Sequence, residues 1–295
     1  MGTLARCRYV PAVRGGRGGD AGGSVQRRMH PIEHLRFVAR AVGVPQDLLV
    51  RETASALAAF GGDPPGLVTA CRRVISRHLA VGGLWTLCAR MLHAADPSAE
   101  ARAAVEELDA DRTARHLAIE LPPDATALMV GWSTTVIDSL VRRGDVTVLV
   151  AEIDAEAGSL AAHLDARSVD VVEVDGSSLG AAAATADVVL VEAELAGPAA
   201  VLAPRGTLAA ACVAAHAGRA VWFVVPHGRA VGGRTWDAAI RRWSDRSNAW
   251  DRDLDEVPLD TATLVIGPTG AAPPTALVDR VDCPVAPELF KADVT

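Results

Sequence analysis

No uninterrupted apolar run in this chain approaches the roughly 18 residues that span a bilayer. The first residues also lack the apolar core of a secretory signal. A membrane protein is therefore not expected, and a cytoplasmic setting is. The five cysteines (Cys7, Cys71, Cys88, Cys212 and Cys283) are scattered and show no CxxC or other ligand spacing. That argues against a disulfide framework and a thiolate metal site, and fits reduced, buried thiols. Basic excess is lacking too: 36 acidic against 29 basic residues leave a formal charge of −7. A chain-wide surface for nucleic acid is not expected, so any anion site must be local. Aromatics make up 4% while Ala, Val, Gly and Arg abound, a coding bias that carries no functional reading. No GxSxG, no Walker loop and no GxGxxG between a strand and a helix occurs, which removes the hydrolase-elbow, P-loop and dinucleotide readings. The eight histidines are dispersed, and neither a metal nor another cofactor is expected.

What the chain does hold is enough apolar sequence, 50% of 295 residues, for one large domain or two ordinary ones. Residues 1-28 include RGGRGGDAGG, which has no apolar period and reads as a disordered tail. From Pro31 onward IEHLRFVARAV, PQDLLVRETASALAAF, PGLVTACRRVISRHLA and GGLWTLCARMLHAA place apolar residues three and four apart. A further helix, with Ser98 as its N-cap, runs through AAVEELDADRTARHLAIEL and stops at Pro122-Pro123. This predicts a helical domain over 29-121. Beyond the prolines, over 124-295, ATALMVGW, DVTVLVAE, VDVVEVD, ADVVLVEAE, RAVWFVVP and TATLVIGPTG alternate with helix-length segments. Such alternation predicts an α/β fold: a Rossmann-like domain with a mainly parallel sheet, following the helical one.

Ligands in such sheets bind beyond the carboxyl ends of the strands. There stand Trp132-Ser133-Thr134, Glu152, Asp175-Gly176-Ser177, Glu192 to Glu194 and Pro226-His227-Gly228. Gly206 and Thr207 open a helix whose free amides, with Arg205, suit a phosphate. A carboxylate ending the preceding strand suits proton transfer next to a carbonyl. The plainer alternative pairs Arg205 with Glu194 or Glu192 as a tie between strand and helix. Ser133 and Thr134 likewise serve either a phosphate or simple N-capping, and His227 is a polar loop residue before it is a ligand contact.

From Pro31 to Phe290 these pieces, in order, resemble the family of translation initiation factor 2B alpha, beta and delta subunits and sugar-1-phosphate isomerases. Methylthioribose-1-phosphate and ribose-1,5-bisphosphate isomerases belong to it. ALMVGWSTTVIDSLVRR resembles its first-strand block and VEAELAGPAAVLAPRGT its GAD-x-x-x-x-x-G-x-x-x-NK-x-GT signature. DEVPLDTATLVIGPTG resembles its D-x-x-P block and CPVAPELF its ending. The resemblance puts the family's catalytic cysteine at Gly131, its catalytic aspartate at Glu194, and the NK pair at Ala203-Pro204, with Arg205 able to supply the lost charge. A carboxylate displaced by about one methylene can cost roughly a hundredfold in rate.

The expectation is an initiation-factor-2B-like regulatory binder of a phosphorylated sugar or nucleotide, without catalysis and assembled as a homodimer or homo-oligomer. An aldose-ketose isomerase of altered specificity, with Glu194 as its acid or base, is the alternative. A translation initiation factor subunit is the second. Ser133, Thr134, Arg205, Gly206 and Thr207 are the expected phosphate contacts.

Overall fold

The computed structural model describes residues 44–153 and 157–291. The expected tail over 1-28 and the first expected helix, 32–42, lie outside the described residues. Helices come first: α1 Gln46–Leu57, α2 Pro64–Arg77, α3 Gly82–His93, α4 Pro97–Asp109 and α5 Thr113–Glu120. Asp63 starts α2 by accepting the Gly66 amide at 3.1 Å, with Pro64 in the first turn. Asp96, not Ser98, caps α4, taking the Ser98 and Ala99 amides at 2.9 and 3.0 Å. The Ser98 hydroxyl instead donates to the Ala58 carbonyl at 2.8 Å. The single helix expected up to Pro122 is two helices because Asp111 breaks it. One Asp111 oxygen accepts the Thr113 amide at 2.8 Å and so opens α5, and the other accepts the His227 amide at 2.8 Å.

The α/β part follows. Its strands are β1 Thr126–Val130, β2 Thr147–Glu152, β3 Asp170–Asp175, β4 Val188–Glu192, β5 Leu195–Ala196, β6 Ala200–Pro204, β7 Ala220–Val224, β8 Leu254–Pro258, β9 Leu264–Gly267 and β10 Gly270–Ala272. Interleaved are α6 Thr134–Arg143, α7 Ala157–Asp165, α8 Leu179–Thr185, α9 Thr207–His216 and α10 Gly233–Ser244. The main sheet has seven strands in the order β10-β9-β7-β4-β1-β2-β3, all parallel but β10. The chain winds outward from β1 in one direction, returns to β4, and winds outward in the other. β1 and β4 therefore flank the topological switch point where doubly wound sheets open a crevice.

Alternate residues face opposite cores, as the two-residue period of a strand requires. Leu128, Val189, Val191, Val221 and Phe223 face α8 and α9, whereas Ala127, Met129, Val188 and Leu190 face α5, α6 and α7. Both faces being covered explains why β4 reads VVLV without a polar break. A second, three-stranded antiparallel sheet, β5-β6-β8, lies beside the main one. Its Leu195 and Leu202 join Trp236, Leu289 and the apolar faces of α1 to α4 in a third core. No described helix is long and apolar enough to cross a membrane.

Candidate functional site

β1 ends at Val130 and turns into α6 through Gly131, whose φ is +71°. A β-carbon at Gly131 would stand 2.6 Å from Cβ of Pro204, so both conformation and space restrict the position to glycine. Ser133 occupies the N-cap position of α6 and is buried, but its side chain makes no cap hydrogen bond. Glu192, ending β4 across the switch point, supplies the anion instead. It accepts the Val136 amide at 3.1 Å and the Thr135 hydroxyl at 3.2 Å. The guanidinium of Arg229 pairs with Glu192 at 2.8 Å and also donates to the Ala193 carbonyl at 2.8 Å. Both charges are nearly sealed from water, 4% and 6% exposed. Burial raises the Glu192 carboxyl above the usual glutamate range, and Arg229 opposes the rise.

Glu194, two residues on, is half-buried. Its carboxylate accepts a hydrogen bond from the side-chain amide of Gln46 at 2.7 Å. Its carbonyl accepts from the same amide at 3.1 Å and from the Gly82 amide at 2.8 Å. The Gln46 oxygen takes the Gly83 amide at 2.7 Å. One α1 side chain thus closes the first turn of α3 onto the end of the switch-point loop. The Gly82-Gly83 pair permits this approach, since a β-carbon at Gly82 would come 2.8 Å from the Arg229 carbonyl oxygen.

On the neighbouring turn, α9 starts at Gly206 with φ +95°. The Gly206 and Leu208 amides both donate to one oxygen of Asp255, at 2.8 and 3.0 Å. A protein carboxylate thus sits where a phosphate is expected, brought there by the β6–β8 pairing that sets Asp255 opposite Ala203. Thr207 is buried, and its hydroxyl has no partner among the described residues. Arg205 pairs with Asp253 at 2.9 Å, both on the surface, and with neither Glu192 nor Glu194. The cation that meets the strand-end acids is Arg229.

His227 joins a separate network at the end of β7. Its ring nitrogens lie 3.0 Å from Glu107 and 3.2 Å from Asp282. Arg90 in turn binds Glu107 and Glu100, and holds the Glu107 carboxyl below its usual range. Here His227 fastens the β7 loop to α4 and the C-terminal segment. No cluster among the described residues could hold a metal ion.

Sequence reasoning missed Gln46, Arg229 and Asp255. Asp255 carried a signal, being the aspartate of the D-x-x-P block. Arg229 lay next to the expected strand-end Pro226-His227-Gly228, but spacing does not reveal a partner 37 residues away. Gln46 had no signal at all.

No family model and no curated protein matches the chain. Solved structures do. The translation initiation factor eIF-2B of Pyrococcus horikoshii OT3 is 14% identical, with 83% of this chain and 97% of that chain covered at a TM-score of 0.68. The eIF2B beta subunit from Chaetomium thermophilum is 15% identical, with 85% and 91% covered at 0.69. A chain of the tetrameric eIF2B-beta2-delta2 complex from C. thermophilum is 17% identical, with 84% and 92% covered at 0.69. The chain is a divergent protein with the fold of the eIF2B subunits.

Proposed function

We propose that this chain is an eIF2B-like regulatory protein that binds a phosphorylated sugar or nucleotide at the switch point without transforming it. The observation that carries the reading is the Gln46–Glu194 contact at 2.7 Å. That bond engages the Oε2 oxygen and gives Glu194 a structural role, tying α1 and α3 to the strand ends. Gly131 supports the same reading, since the place given to a catalytic cysteine has no room for a side chain.

Phosphate recognition falls to the α9 start and Arg205. Surface ion pairs such as Arg205–Asp253 contribute about 0–1 kcal/mol, so the guanidinium is available to a ligand. A ligand phosphate would replace Asp255 on the Gly206 and Leu208 amides, with Ser133 and Thr134 across the crevice and the Thr207 hydroxyl nearby. Assembly into a homodimer or homo-oligomer in the cytoplasm completes the proposal, supported by the tetrameric complex among the structural neighbours.

Thermal stabilisation by sugar 1-phosphates, sugar bisphosphates and nucleoside monophosphates tests it. At about 100 times its dissociation constant a ligand adds roughly 2.7 kcal/mol. We expect the shift to vanish in Arg205→Ala and to grow in Asp255→Asn, which removes the competing charge and keeps a hydrogen-bond acceptor. Silence across the panel in both the wild type and Asp255→Asn would overturn the phosphate site.

A further inference from the structure

Although the chain is acidic overall, it gathers arginines on the face formed by α2 and α10. α2 contributes Arg72, Arg73 and Arg77, and α10 contributes Arg234, Arg241 and Arg242, with Arg246 just beyond its end. Chain contacts make this one surface. Arg72 donates to the Glu288 carbonyl at 2.6 Å and Arg242 to the Leu289 carbonyl at 3.2 Å, so the segment Pro287–Phe290 bridges the helices. Arg246 donates to the Ser76 carbonyl and closes the other end. A groove of about 260 Å³ runs between Arg234, Arg241, Arg242 and Phe290, with Asp237 the one acid in its lining.

Arg73, Arg77, Arg234, Arg241 and Arg246 are exposed, and none forms an ion pair with a carboxylate among the described residues. Partial burial, together with the charge of Arg77, pushes the Arg246 guanidinium below its usual range. Holding like charges together is unfavourable, and the carboxylates on the same elements, Asp237, Asp245 and Glu288, offset seven arginines only in part. A polyanion would offset the rest. From Arg234 to Ser244 α10 rises about 15 Å at about 1.5 Å per residue, with Arg246 just beyond its end. One stacked strand advances about 3.4 Å per nucleotide, so the row spans about five phosphates. Trp250, four residues past Arg246, is 78% exposed. Arg252 donates to the Ser244 carbonyl at 3.0 Å, which returns the segment carrying Trp250 to the end of α10, and an exposed indole at the end of a cationic row is a platform on which unpaired bases stack.

We propose that the α2–α10 face binds single-stranded nucleic acid, its arginines following the phosphates and Trp250 stacking a base. This lies outside the switch-point site and does not depend on it. Nothing in the sequence pointed to a nucleic-acid partner, and a net charge of −7 leaves room for a basic surface only where it is local.

The test is fluorescence anisotropy of labelled twelve-nucleotide oligouridylate and oligothymidylate with the full chain over a range of salt. Saturable binding is expected that weakens with salt and falls at least tenfold in the triple variant Arg73→Gln, Arg77→Gln, Arg241→Gln. Losing three phosphate contacts should flatten the log–log salt slope by about 2, at about 0.7 per contact on a single strand. Trp250→Ala should cost about 5- to 100-fold, the equivalent of stacking one base. All four positions are exposed, so unchanged thermal unfolding of the variants is the folding control. Tighter binding of oligouridylate assigns RNA, and equal binding assigns single strands in general. No binding at low salt, or binding untouched by the variants, overturns the proposal. So does polyglutamate competing as well as the oligonucleotide, which would make the face a site for an acidic polypeptide.

Discussion

Glu192 ends a strand inside the protein, and its charge is matched by Arg229 at 2.8 Å rather than by water. Truncating one partner of a buried pair leaves the other uncompensated, which typically costs about 3–5 kcal/mol. Arg229→Ala should therefore destabilise the protein by that order, measured by urea unfolding near neutral pH. The pH dependence has a definite sign. Burial already raises the Glu192 carboxyl, and the variant loses the arginine that opposes the rise. Its folded state then takes up a proton that the unfolded chain, with an ordinary glutamate, releases. A raised carboxyl contributes stability at low pH and loses it as pH rises, so the gap to the wild type should be widest near neutrality. It should narrow toward about pH 5. A gap independent of pH would mean that Arg229 acts through packing alone. At this scale the acids were legible as an apolar run ending in charge, but their partners were not. Arg205 is nearer in sequence, yet the antiparallel β6–β8 pairing turns it toward Asp253, while the β7 loop delivers Arg229.

Among elements, the six parallel strands were legible because each is short, β-branched and bounded by helix-length segments. The second sheet was not. β5 has two residues, β6 ends in Pro204, and β8 reads LDEVP, so none shows a clear apolar alternation. Gly82 offers a test of how elements meet at the site. In an open helix, glycine to alanine is favourable by about 0.5–1 kcal/mol. Gly180 in α8 has nothing within 4 Å of an added β-carbon, so Gly180→Ala should stabilise by that amount. At Gly82 the added carbon meets the Arg229 backbone at 2.8 Å and the Glu194 oxygen at 3.1 Å. Gly82→Ala should instead destabilise by about 1–3 kcal/mol, as overpacked positions do. Chemical unfolding of the two variants would read the opposite signs directly. Equal, stabilising shifts would mean that α3 does not press on the strand ends in solution.

For the whole molecule, the change from helical to strand period at Pro122-Pro123 foretold helices before a sheet, but not how much core the two share. Leu195, Leu202, Trp236 and Leu289, all beyond the prolines, complete the core under α1 to α4. Thermal unfolding should therefore be one cooperative transition, followed in parallel by far-ultraviolet circular dichroism and tryptophan fluorescence. Two separated transitions would show the helices to be independent. The same shared core bears on function, because it fixes Gln46 on Glu194 and leaves the switch point held from the helical side. The most direct test of that account is a turnover assay by phosphorus NMR, with purified protein and a panel of aldose 1-phosphates. No conversion above background is expected, even for compounds that stabilise the fold. Conversion that disappears in Glu194→Gln would contradict it and make Glu194 the working acid or base of an isomerase.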